Sequence, residues 1–222
     1  MKIRWYGQSA FALEGEKCVA IDPFGPMDGL ASHGLVFDYP PIEGLEADLL
    51  LVTHEHGDHN HVDAVGGSPV VLRSTAGTHD SPIGEVVGVA SEHDEVAGTQ
   101  RGPNTIFVFT LDGLRIAHFG DFGQSGLRPE QIAAIGEVDI ALVPVGGGPT
   151  VGGERAAQVV RDVNAKLVVP HHYRTEAVNF LDPPDEFLDA LGAPVERSES
   201  SEIEVGDAPP ETEVILLAAP RS

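Results

Sequence analysis

The run Thr53-His54-Glu55-His56-Gly57-Asp58-His59 constrains this chain more than any other feature. It packs three imidazoles and a carboxylate into six residues, directly after an apolar stretch that reads as a strand over 49–53. In extended backbone alternate side chains share a side, so His54, His56 and Asp58 are expected to face one point. Gly57 admits a sharp turn that lets His59 swing to a neighbouring point. Nitrogen and oxygen donors at this density suit zinc, iron or manganese. The bland alternative is a solvated His-rich loop, and an internal position straight after a strand counts against it.

The surrounding chain reads as one α/β domain over 1–222. A β-meander opens it (2–6, 11–13, 18–21), followed by a Gly- and Pro-rich loop over 22–48 of the length that usually serves function or acts as a lid. Further strands are expected at 70–73, 83–90, 105–111 and 114–119, the last two joined by Asp112-Gly113, a strong hairpin signal. The second half changes rhythm: helices at 129–135, 154–163 and 184–191 alternate with apolar strands at 140–145 and 166–170. Closing strands are expected at 203–205 and 214–217. No window approaches the roughly 18 apolar residues of a membrane helix. The first residues carry no apolar run of a leader peptide, so a cytoplasmic location is expected. Cys18 is the only cysteine, which excludes an internal disulfide and an all-cysteine metal site.

Charge narrows the partners. With 13 Lys+Arg against 35 Asp+Glu the formal charge is −22, and such a surface repels phosphate backbones and anionic membranes. A small-molecule substrate is therefore expected, with any anionic group met by a local arginine or a metal.

The pattern H-x-H-x-D-H resembles the signature of the metallo-β-lactamase superfamily, and later motifs recur in the family's order. His93, in Ser91-Glu92-His93-Asp94, resembles its third motif. His118-Phe119-Gly120-Asp121 resembles the fourth, and Val169-Pro170-His171-His172-Tyr173 the fifth. The similarity covers most of the chain and is closest to the ascorbate-6-phosphate-lactonase-like branch and its metal-dependent hydrolase relatives. It implies an αββα sandwich, two mixed sheets with helices outside, and two divalent ions, zinc first with manganese or iron as alternatives. One ion would take His54, His56 and His93, the other Asp58, His59 and His172, with Asp121 bridging. It further implies hydrolysis of a small ester, lactone or phosphodiester by a metal-bridged hydroxide. Asp58, as an acid or base, and Asp121 are the candidate catalytic carboxylates.

Other residues follow from position. His171 and His172 are adjacent, so only one can point at the metals, and the resemblance selects His172. Asp22 resembles the family's early Asp, which supports the first-motif histidines, and His118 is read either as a support for Asp121 or as a satisfied core histidine. Arg101, Asn104 and Arg174 flank ligand motifs and are the candidates for substrate anchoring. Where related sequences carry Gly-His-Ser near the N-terminus, this chain has Gly7-Gln8-Ser9; glutamine has no titratable proton, so any role of that histidine in proton transfer is lost. Two alternatives stand beside the hydrolase: a nuclease or phosphodiesterase on RNA, which the charge disfavours, and a metal-binding module without turnover, which the intact ligand set disfavours.

Overall fold

The computed structural model describes residues 1–221. The chain opens with β1 (Lys2–Gly7), β2 (Ala10–Glu14) and β3 (Cys18–Ile21). After a 3₁₀ turn at Asp28–His33 come β4 (Leu45–Glu46) and β5 (Leu49–Val52); a second turn, Val62–Ala64, precedes β6 (Val65–Gly66) and β7 (Val70–Arg73). Four strands follow in an antiparallel run: β8 (Gly77–Ser81), β9 (Gly84–Glu92), β10 (Pro103–Leu111) and β11 (Leu114–His118). Then α1 (Pro129–Ile135), β12 (Ile140–Pro144), α2 (Gly153–Asp162), β13 (Leu167–His171) and α3 (Asp185–Leu191) alternate, and β14 (Val195–Arg197), β15 (Glu202–Glu204) and β16 (Glu213–Leu216) close the chain.

The strands form two large mixed sheets, ordered β15-β1-β2-β3-β5-β7 and β14-β16-β13-β12-β11-β10-β9-β8, beside a two-stranded pair of β4 and β6. Residues of β12 and β13 are buried throughout, as expected for parallel strands covered on both faces. β1 alternates between buried and half-buried, the period-two pattern of a strand with one face on the core. At the β10–β11 hairpin both Asp112 (φ 51°) and Gly113 (φ 82°) lie in the left-handed region that a two-residue turn of this kind requires.

The main core joins the two sheets, with Trp5, Phe11 and Leu49 of the first against Phe107, Ile116 and Val143 of the second. The α-helices pack on the second sheet. The outer face of the first is covered instead by the segment that reads as a long loop, whose Phe24, Tyr39 and Ile42 bury against Ala12, Ala20 and Leu50. Two polar strands, β8 and β14, lie at sheet edges and escape a reading based on apolar runs. Because β3 and β5 run parallel, as do β11, β12 and β13, the segments leaving β5, β9, β11 and β13 gather at one end of the sandwich.

Candidate metal centre

Those four segments carry the chemistry. Ligand-type atoms of His54, His56 and His93 lie within 4.8 Å of one another, as do those of His54, His59 and Asp121, and of Asp58, His59 and His172. Asp121 is the hub. Its Oδ2 lies 3.2 Å from His93 Nε2, 3.2 Å from His172 Nε2 and 4.0 Å from His54 Nε2, and its Oδ1 lies 3.3 Å from His59 Nε2. His59 Nε2 is buried without a hydrogen-bond partner, although the Asp121 and Asp58 carboxylates face it. Buried imidazoles converging on a buried carboxylate are a donor set that fits divalent cations.

The alternation argument holds for His54 and His56, whose Nε2 and Nδ1 approach to 3.0 Å, but not for Asp58. The strand ends at Val52, and a turn closed by His59 N donating to the His56 carbonyl carries Asp58 away to the group of His59 and His172.

Tautomers are set from behind. Asp22, fully buried at φ 46°, accepts from Thr53 N and from Thr53 Oγ1, both at 2.7 Å. Because the Thr53 hydroxyl hydrogen goes to Asp22, Oγ1 is left to accept from His54 Nδ1 at 3.1 Å, which frees the Nε2 lone pair for a cation. His59 Nδ1 reaches Asp22 Oδ2 at 3.0 Å with the same result. The expected support by Asp22 is thus a contact with two histidines of the first motif. His172 (φ 51°), Asp22 and Gln8 (φ 49°) all hold left-handed backbone, which costs non-glycine residues about 1–2 kcal/mol each.

Charge follows contact. Burial, reinforced by the charge of His59, pushes His54 down to about 2, so it is a neutral donor. Burial alone would raise Asp121, but His172 and His59 hold it well below the usual carboxylate range. Burial opposes protonation of His59, yet Asp121, Asp58 and Asp22 outweigh it and raise its pKa well above that of a free imidazole.

Two further sequence expectations need correction and another is only half met. Asn104 does not face substrate: it is 2% exposed, its amide donates to Ser91 Oγ and the Phe119 carbonyl, and its Oδ1 accepts from Asp121 N, so it fixes the backbone of the hub. His118 does not touch the Asp121 side chain. Its Nδ1 accepts from Gly120 N and its Nε2 donates to the Ser9 carbonyl, so it shapes the turn just before Asp121. Of the two flanking arginines, only Arg101 lines the cavity over the centre, a space of about 420 Å³ shared with Met27, Leu30 and Phe180. Arg174 turns away because its Nε donates to the Leu181 carbonyl at 2.6 Å.

His171 lies behind the centre as the alternation expects, stacked 4.9 Å from His118 and 3.2 Å from Ser9 Oγ. Ser9 itself was missed. Its hydroxyl donates to Asp121 Oδ1 at 3.2 Å, and its only sequence signal is adjacency to Gln8 in the first turn.

Comparison with known proteins gives the family and the fold. Residues 2–172 match the family model described as a β-lactamase superfamily domain. A UPF0173 metal-dependent hydrolase of Pelotomaculum thermopropionicum is 32% identical over 92% of this chain and 96% of its own. One from Thermococcus onnurineus is 33% identical over 86% and 92%. Among solved structures, a candidate Zn-dependent hydrolase of the metallo-β-lactamase superfamily from Thermotoga maritima superposes with a TM-score of 0.79 at 33% identity, covering 98% of each chain.

Proposed function

The chain belongs to the metallo-β-lactamase superfamily and, within it, to the UPF0173 metal-dependent hydrolases, and from that membership we propose that it is a dinuclear hydrolase of small esters, lactones or phosphodiesters. The observation that carries the reading is the hub: one buried carboxylate with imidazole nitrogens approaching both of its oxygens. His54, His56 and His93 would hold one ion, Asp58, His59 and His172 the other, and Asp121 both. An imidazole-rich set with carboxylates suits zinc, and manganese or iron in its place.

Two divalent ions held by these residues would supply an activated water and polarise the scissile oxygen. The chain's own residues do the rest. Asp121, ionised between the groups, offsets repulsion between two cations. Asp22 and Thr53 keep His54 and His59 in the donor tautomer. Asp58 is held below the usual carboxylate range: burial works against ionisation, but His59 outweighs it, so Asp58 is ionised and has no proton to supply. Arg101, at the cavity wall, offers forked recognition to an anionic group of the substrate. The cavity's size fits a small molecule. No helix among the described residues is long and apolar enough to cross a membrane.

Elemental mass spectrometry of freshly purified protein, with bis(p-nitrophenyl) phosphate turnover on the same sample, tests this. Two ions per chain with turnover are expected, and Asp121→Ala should lose at least one ion. Two ions without turnover on phosphodiesters, esters or lactones would favour a binding module, and unchanged stoichiometry in Asp121→Ala would remove the bridging role.

A further inference from the structure

Gln8, in the turn between β1 and β2, is 1% exposed and lines the cavity beside Asp58, Asp121 and His172. The turn is pinned on the cavity side and on the core side alike. Its carbonyl accepts from Trp5 Nε1 at 2.9 Å and from His172 N at 3.2 Å. From that anchor Nε2 donates to Asp58 Oδ2 at 2.9 Å. An ionised carboxylate only accepts, so the NH₂ end of the amide must face Asp58, and Oε1 is directed away from it. Oε1 is buried with no donor among the described residues. Orphaned buried acceptors are scarce in folded proteins and each calls for a reason, as does left-handed backbone at a glutamine.

Asp58 needs such a tether. It follows the exposed residues Glu55, His56 and Gly57 and is itself only half-buried. Apart from neighbouring imidazoles, Gln8 is the one side chain that donates to its carboxylate among the described residues. Three of the other proposed ligands have supports of their own, Asp22 for His59, Thr53 for His54 and Ser9 for Asp121, whereas Nδ1 of His93 and of His172 has no partner among the described residues.

We propose that Gln8 is the positioning residue of the second ion's site: its amide aims the Asp58 carboxylate at the space shared with His59 and His172, so affinity for that ion depends on a residue that is not its ligand. The inference rests on the dinuclear reading above. It gives the departure from Gly-His-Ser a role without a titrating proton.

The test is a zinc titration of the metal-stripped protein, with total metal read by elemental mass spectrometry and folding checked by thermal melt. Gln8→Met keeps length and removes the donor. It should bind the first ion as the parent chain does and the second about 10–100-fold more weakly. Should that variant not fold, Gln8→Asn carries the same expectation: it tolerates positive φ and withdraws the amide by one methylene. Gln8→His restores a ring N–H donor and should recover most of the second-ion affinity. Unchanged second-ion affinity in a folded Gln8→Met or Gln8→Asn chain overturns the inference alone. Equal losses in Gln8→Met and Gln8→His also overturn it, because shape rather than the donor would then be at work. A parent chain that takes up only one zinc ion overturns the dinuclear reading, and this inference with it.

Discussion

A single carboxylate, Asp22, reaches two first-motif histidines, His59 directly and His54 through Thr53. Its sequence context, an Asp before a Pro, shows only that a turn begins there, and the partners come from 31 or more positions away. The cluster over 54–59 was legible because an apolar run ends in it, whereas His93, Asp121 and His172 were reached through the resemblance. Two of the supports were not legible, since Asn104 and Ser9 reach Asp121 by hydrogen bonds from 17 and 112 positions away. Strand alternation made it legible that only one of His171 and His172 faces the centre, the resemblance selected His172, and the left-handed backbone at His172 completes the separation. At this scale the raised pKa of His59 has a measurable consequence. Without metal the carboxylates of Asp121, Asp58 and Asp22 favour the doubly protonated ring, and a cation at Nε2 must displace that second proton. Calorimetry of zinc binding in buffers of different ionisation enthalpy should therefore report release of about one proton from this group. Apparent affinity should rise with pH until His59 titrates. No proton release at pH 7 would contradict the assignment.

The elements converge because glycine lets their connecting segments touch. A Cβ on Gly146 would lie 2.2 Å from the His172 carbonyl oxygen and 2.7 Å from Tyr173 Cα, and one on Gly123 would lie 2.4 Å from the His93 carbonyl carbon. Backbone on both sides leaves no flexible neighbour to give way. Gly146→Ala is therefore expected to destabilise by roughly 1–3 kcal/mol through overpacking. It should also weaken binding of the ion assigned to His172 while sparing the group of His54, His56 and His93. A melt and a metal titration on one sample check both, and a variant with parental metal binding would show that the segment relaxes without moving His172. The polar strands β8 and β14 were not legible, since edge strands need no apolar alternation. The cover of the first sheet read as a loop because its apolar contacts, Phe24, Tyr39 and Ile42, are spaced irregularly.

Over the whole molecule, a charge of −22 opposes every anion that approaches, and only Arg101 among the cavity-lining residues is basic. Turnover of bis(p-nitrophenyl) phosphate should increase several-fold in kcat/KM between about 10 and 200 mM salt as the repulsion is screened. A neutral lactone should show no such rise, and a fall for both would point to salt acting on the site itself. The seven proposed ligands also divide between the layers: His54, His56, Asp58 and His59 follow β5 of one sheet, whereas His93, Asp121 and His172 follow strands of the other. Bound ions would thus fasten two halves that apolar contact and a few hydrogen bonds, among them Ser9 to Asp121 and His172 N to the Gln8 carbonyl, already join. At a thousand times the dissociation constant one such ion contributes about 4 kcal/mol. Stripping it should lower the melting temperature by about 10 °C in a chain of this size, and a melt unaffected by chelator would deny the fastening. A sandwich riveted in this way ties its lifetime in the cell to metal supply: under starvation it would open to proteases, so scarcity would clear the protein as well as idle it.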